Sequence, residues 1–194
     1  MNPFVTFIIP TIGRPSLQAS ILSMLAQVDP DWNAIVIGDN VEDEKFKSFK
    51  VDDNRITFFN LPVKTGHDNV GAQVRNIALE HIKASDKKPV WVANLDDDDT
   101  VDKNYVAWLR GEIVDLLQFR AQWENGIDIR PTDDEHRLLP HTVCNAFAFK
   151  FDFAEKHGLQ YIDGSSEDWV TIQGFITAGG KTKVSEHVAY YVRH

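Results

Sequence analysis

The sequence predicts an α/β domain built on a mostly parallel central sheet flanked by helices, and three observations carry that prediction. Short apolar runs alternate with helical patterns through the first hundred residues, the order that gives parallel strands with right-handed crossovers. Several of those runs are apolar without alternation, as strands covered on both faces are. Polar residues stand just beyond the runs' carboxyl ends, where sheets of this class bind ligands.

Residues 4–9 form an apolar run rich in β-branched side chains, closed by Pro10, and read as a buried strand. Ser16 can cap the next helix, where Leu17, Ile21, Met24, Leu25 and Val28 recur at helical spacing. Residues 34–37 read as a second buried strand, ending at Gly38-Asp39-Asn40, and residues 56–59 as a third. Residues 71–82 are helical, with Val74, Ile77, Ala78 and Ile82 on one face. Residues 90–95 form a fourth strand that runs straight into Asp96-Asp97-Asp98-Asp99. Thr11, Asp39 and the four aspartates should therefore meet at one sheet edge. Further along, Val106, Leu109, Ile113, Leu116 and Leu117 mark an amphipathic helix, and residues 122–139, polar and broken by Pro131, read as a surface excursion. Residues 143–149 return as a strand. Ser165 or Ser166 can cap a helix that starts near Glu167-Asp168 and stops at Gly179-Gly180; residues 183–192 close the chain as strand-like sequence.

The 194 residues fit a single domain, with no repeat, low-complexity tract or linker. Twenty Lys plus Arg against twenty-nine Asp plus Glu give a net charge of −9. So acidic a chain argues against nucleic acid as a partner, because phosphate neutralisation needs a basic face. An anionic small ligand would need a metal ion or a few placed basic residues to offset the repulsion. Cys144 is the only cysteine, which excludes an internal disulfide and a thiolate-rich zinc site. No apolar stretch approaches the ~20 residues that cross a bilayer, and the N-terminus lacks a signal-peptide pattern; a cytoplasmic location is the expectation.

The four aspartates are the sharpest chemical signal. Adjacent like charges raise one another's pKa unless a cation or water relieves them, and oxygen ligands suit Mg²⁺ or Mn²⁺. The plain alternative is a solvated acidic turn; delivery by an apolar strand to the functional edge favours the metal. An EF-hand loop fits poorly, since Val101 and Ala107 stand where it wants Gly and Glu.

On these residues the chain resembles a family 2 glycosyltransferase of GT-A fold. Phe7-Ile-Ile-Pro-Thr-Ile-Gly-Arg-Pro (7–15) is similar to that family's first strand and donor loop. Gly71-Ala-Gln-Val-Arg-Asn-Ile-Ala (71–78) resembles the helix carrying a nucleotide-binding Arg, and Asn94-Leu-Asp-Asp-Asp-Asp (94–99) its Asp-X-Asp segment. Asn145-Ala-Phe-Ala-Phe-Lys (145–150), Glu167-Asp-Trp (167–169) and Tyr190-Tyr-Val-Arg-His (190–194) follow in the order expected of the acceptor side. The resemblance implies a single GT-A domain over 1–194, with residues 1–100 binding the nucleotide sugar and 101–194 the acceptor. Members of that family usually continue past this point, so the chain is also compatible with one domain of a longer protein.

The resemblance further implies a glycosyltransferase moving a sugar from a nucleoside-diphosphate sugar, UDP-linked by preference, onto a hydroxyl of a glycan, glycoprotein or other acceptor. Mn²⁺ or Mg²⁺ would be the cofactor. Thr11 and Asp39 would contact the nucleoside, Asp39 accepting from the base or ribose in preference to the plain alternative of an Asx turn at Gly38-Asp39-Asn40. Arg75 would face the diphosphate or base. Asp96 would bond the ribose, Asp97 would assist or turn outward, and Asp98 would ligate the metal with His194 as a further ligand; His187 is the alternative. Asp168 would be the general base of an inverting transfer, against the plain reading that Glu167 and Asp168 favour a helix N-terminus. Trp169 would stack near the acceptor. A sugar-nucleotide nucleotidyltransferase is the rival enzyme, disfavoured by a first loop with one glycine, and a non-catalytic nucleotide-sugar or carbohydrate-binding module is the rival without chemistry.

Overall fold

The structure is a computed structural model that describes residues 2–65, 70–124, 126, 128–132, 138–140, 142–164 and 166–193. Its first half is the expected one. Strands β1 (Val5–Thr11), β2 (Trp32–Gly38), β3 (Ile56–Asn60) and β4 (Trp91–Asn94) are mutually parallel in the order β3-β2-β1-β4. The crossovers carry α1 (Leu17–Leu25), α2 (Asp43–Ser48) and α3 (Val70–Ala84). β1 is buried along its whole length, because helices cover both faces. Phe7 and Ile9 point into a core shared with Leu17, Ile21 and Met24 of α1 and Phe46 of α2. Ile8 points the other way, to Ala72, Val74, Ala78 and Ile82 of α3.

The strand does not stop at Pro10 but runs on to Thr11, paired with Gly38 of β2. Proline is tolerated there for a geometric reason. In a parallel ladder successive residues face opposite neighbours, and Ile8 faces β4, where its carbonyl takes the Leu95 amide at 3.1 Å. Pro10 therefore faces the β4 side too, beyond the last β1–β4 pair at Ile8 and Asn94, where no donor is required.

The second half contains β5 (Thr100–Val101), α4 (Tyr105–Leu109), β6 (Leu116–Trp123), β7 (Ile129–Arg130), β8 (Phe147–Lys150), α5 (Phe151–His157), α6 (Glu167–Thr177) and β9 (Thr182–Val192). The sheet continues from β4 as β8-β6-β9-β5, with β7 on β6. β8 is antiparallel to both β4 and β6, whereas β9 is parallel to β6, so this half of the sheet is mixed. The long helix expected from Val106 to Leu117 is a correction. α4 ends at Leu109, Gly111 turns at φ +84°, Ile113 is 79% exposed, and Leu116 and Leu117 open β6. The apolar spacing across 109, 113 and 116 was fortuitous. The alternation of Leu117, Phe119, Ala121 and Trp123 with Gln118, Arg120 and Gln122 is the true period-two signal. Val28 and Ile77 also differ from expectation: Val28 lies past the end of α1 and is 57% exposed, and Ile77 sits at the rim of the buried face of α3.

Candidate active site

The parallel strands end in register, so Thr11, Asp39 and the residues after Asn94 reach the same edge. Asp96–Asp99 form a turn that Ser20 of α1 fastens by donating to the carbonyls of Asp96 (3.2 Å) and Asp99 (2.7 Å). Each carboxylate then has its own partners.

Asp97 is buried and belongs to the first loop. Its Oδ2 accepts from the Thr11 hydroxyl at 2.5 Å and the Ile12 amide at 3.3 Å; its Oδ1 accepts from Arg14 Nη1 at 2.9 Å. Gly13, at φ +82°, turns the loop back and donates its amide to Thr11 Oγ1 at 2.9 Å. Burial raises the Asp97 carboxyl, against the Thr11 hydrogen bond and the Arg14 charge. Arg14 Nη1 also reaches Asp98 Oδ2 at 2.5 Å. Asp99 is structural. It accepts from the Arg193 amide at 3.1 Å and from Tyr190, whose hydroxyl in turn accepts from the Asp96 amide at 3.0 Å. Burial, helped by Asp96, pushes the Asp99 carboxyl up to about 7.

Asp96 faces the second half of the domain. Its Oδ1 accepts from Arg75 Nη2 and, at 2.8 Å, from Asn145 Nδ2. Arg75 is buried along α3 and gives its other arm to Glu167 Oε1 at 2.5 Å, with its guanidinium 5.7 Å from the Tyr161 ring. Burial opposes the Arg75 charge, but Asp96 and Glu167 hold its pKa above the ordinary value. Gly71 makes room for this: a Cβ there would strike Arg75 Nη1 and lie 3.0 Å from Glu167 Oε1. Glu167 and Asp168 occupy the first turn of α6, as expected, with Ser166 in the N-cap position but making no side-chain cap bond. Burial pushes the Asp168 carboxyl up to about 7; Arg75 opposes this while Asp96 and Glu167 add to it. No hydrogen bond among the described residues ties that carboxyl down.

Asp39 is buried and accepts the Thr65 amide on Oδ1 at 2.8 Å, while its Oδ2 has no partner among the described residues. An unsatisfied buried carboxylate oxygen is costly, and a ligand N–H or O–H would relieve it. Beyond it, a cleft of about 640 Å³ is lined by Asn40, Val41, Glu42, Asp43, Asn60, Leu61 and Pro62. That cleft includes none of the acidic turn.

The structure thus brings together Thr11, Arg75, Asp96, Asp97, Asp98 and, through Arg75, Glu167 and its neighbour Asp168. His194 lies outside the described residues. His187 stacks on Trp108 at 4.2 Å, and Trp169 packs on the core beneath α6. Among the described residues no three His, Cys, Asp or Glu side chains close on one point. One or two carboxylates nevertheless suffice for Mg²⁺ or Mn²⁺ when phosphates complete the shell. Asp96 and Asp98, with side chains 33% and 20% exposed, fit that pattern. Asp99 was expected only as one of the four clustered aspartates, and Arg14, Asn145, Glu167 and Tyr190 only as members of their motifs, with no role of their own. Arg14 was findable: four aspartates at a sheet edge need a cation, and it stands in the loop opposite.

Fold and site together define an α/β domain of GT-A type, with an acidic turn at the carboxyl edge of its parallel strands. No family model and no curated protein matches the sequence. Among solved structures the chain is similar to S. aureus TarS 1-349, at 16% identity and a TM-score of 0.73, covering 100% of this chain and 60% of that one. The same protein in complex with UDP-GlcNAc gives 17% identity, a TM-score of 0.75 and coverage of 100% and 59%. Its complex with UDP gives 16%, 0.75, and 100% and 61%. The chain therefore spans about 60% of the length of these structures, and at such identity the likeness establishes the fold. No helix among the described residues is long and apolar enough to cross a membrane.

Proposed function

We propose that the protein is a nucleotide-sugar glycosyltransferase that transfers a sugar from a UDP-sugar to a hydroxyl acceptor, divalent-metal dependent and with inversion. The observation that carries this reading is the pairing of Asp96 and Glu167 on one guanidinium, which sets a carboxylate of the acidic turn beside the first turn of α6, where Asp168 stands. A carboxyl near 7 is matched to abstracting a hydroxyl proton at neutral pH. The UDP and UDP-GlcNAc complexes of the similar structure support a nucleotide-sugar donor, and the unsatisfied Asp39 oxygen supports a nucleoside N–H or O–H at the end of β2.

In this reading Asp168 takes the proton of the acceptor hydroxyl as that oxygen attacks the anomeric carbon. The bond from that carbon to the diphosphate oxygen breaks, and the nucleoside diphosphate leaves with the electron pair. Asp96 and Asp98 would hold the cation, whose charge offsets that of the departing diphosphate when bound. Asp39 and Thr11 orient the nucleoside end. Arg75 fixes Asp96 and Glu167 in place.

The test is UDP release from UDP-sugars with Mn²⁺, with and without candidate hydroxyl acceptors, alongside UDP binding by calorimetry. Asp168→Asn should lower turnover by about 10²–10⁴-fold, the span of general-base contributions, and leave UDP binding within about twofold. Undiminished turnover in that variant sinks the base assignment; UDP binding without turnover of any sugar leaves a binding module.

A further inference from the structure

Two arginines ion-pair with the acidic turn among the described residues, and one of them stands where a metal ion would act. Arg14 Nη1 bridges Asp97 Oδ1 and Asp98 Oδ2 at 2.9 and 2.5 Å. We propose that Arg14 is an exchangeable counter-ion: in the free chain it neutralises Asp97 and Asp98, and on donor arrival it yields Asp98 to the incoming cation and takes a phosphate oxygen of the nucleoside diphosphate. This rests on the glycosyl-transfer reading and deepens it, because it makes metal and donor bind together rather than in succession.

Three features support an exchange. First, the loop backbone is fixed independently of the Arg14 side chain: Thr11 Oγ1 and the Ile12 amide hold Asp97 Oδ2, and the Gly13 amide holds Thr11. The Arg14 side chain can therefore leave while the loop stays in place. Second, that side chain is 47% exposed while its partner Asp98 is 20% exposed. An ion pair so open to water is weakly held, in contrast to a buried one. Third, Arg14 meets both carboxylates through Nη1 alone, whereas its planar fork can take two phosphate oxygens at once. In a chain of net charge −9, an anionic donor needs such a cation at the mouth of its site. Glycine at 13 supplies the tight turn, φ +82°, that aims Arg14 back over the cluster.

The experiment measures Mn²⁺ binding to the full chain by the EPR signal of free Mn²⁺, first without nucleotide and then with UDP, for wild type, Arg14→Gln and Arg14→Lys. Arg14→Gln should bind Mn²⁺ alone about tenfold more tightly than wild type, the scale expected when one half-exposed competing charge leaves the carboxylates. Arg14→Lys, which keeps the charge, should remain close to wild type. With Mn²⁺ saturating, Arg14→Gln should bind UDP several-fold more weakly. Equal Mn²⁺ binding in wild type and Arg14→Gln, including no binding by either, overturns the proposal, as does undiminished UDP affinity in Arg14→Gln. If wild type binds neither UDP nor any UDP-sugar, the glycosyl-transfer reading fails instead, and the nucleotide-free Mn²⁺ comparison still decides whether Arg14 guards the carboxylates.

Discussion

The two arginines at the acidic turn do opposite work, and the contrast comes from where each chain segment puts its charge. Arg75 rises from the covered face of α3 and is 3% exposed, with a carboxylate on each arm. Arg14 hangs from a loop and is 47% exposed, bridging two carboxylates from outside. Removing water from an ion pair strengthens the attraction but makes a lone partner very unfavourable. Arg75 is therefore a strut between the two halves of the domain, and Arg14 a removable cover. The same residue type gives a rigid element in one place and a mobile one in the other.

The largest expected effect tests the strut. Arg75→Met leaves Asp96 and Glu167 facing each other without a cation. Their 33% and 21% exposure keeps the loss at the low end of the buried-pair range, about 3 kcal/mol, read as a shift in the urea midpoint at pH 8. Because Arg75 opposes the rise in the Asp168 pKa, the same variant should move the acidic limb of the rate profile to higher pH. Arg14→Gln should leave that limb in place. A limb that moved equally in both would erase the distinction between them.

Asp168 gives the next effect, and its sign is the reverse of a salt-bridged carboxylate. Its pKa is about 7 in the folded chain against an ordinary 3.8, so the folded state holds an extra proton between about pH 4 and 7. Stability therefore falls as pH rises through that window, and the whole cost is present above it. Activity runs the other way: the base must be ionised, so kcat should fall about tenfold per unit below pH 7. Asp168→Asn should raise stability by about 2 kcal/mol at pH 8, a figure discounted for partial exposure, and by almost nothing at pH 4. Thermal melts at the two pH values check it. A variant equally stabilised at both would show that burial of charge is not what Asp168 bears.

How far the sequence disclosed all this also divides along the chain. In the parallel half, each strand is mostly apolar and ends at or beside a polar residue, and the edge formed by Thr11, Asp39 and Asp96 followed from strand order alone. In the mixed half, β6 begins with two leucines at a helical distance from Leu109, and local spacing gave the wrong period. Its period-two alternation from Leu117 to Trp123 competes with that helical spacing, and pairing with β8 and β9 decides for the strand. The acidic turn was legible as a cluster, yet not which carboxylate does what. Asp97 is claimed by the first loop and Asp99 by the residue that follows β9, contacts separated by 86 and 94 residues. Such divisions of labour arise from tertiary contacts, which no periodicity encodes.

Gly71 probes the strut more gently. Alanine at that position gains helix propensity, up to ~1 kcal/mol in a helix interior and less in a first turn. Its Cβ, however, would displace the Arg75 guanidinium that lies against Gly71. Gly71→Ala should therefore be destabilising by about 1 kcal/mol, with the urea midpoint as the measurement; a stabilised variant would mean that Arg75 has room to spare.

The smallest effect is expected at the cover. Arg14→Gln exchanges an exposed guanidinium for a neutral side chain, and exposed ion pairs contribute little after screening. Asp97 loses a partner, but the loop keeps its three backbone and hydroxyl anchors. The urea midpoint in 0.15 M salt should shift by no more than about 0.5 kcal/mol. A loss comparable to that of Arg75→Met would mean that Asp97 cannot stay charged and buried without Arg14. The two arginines would then both be struts, and the cover would not open.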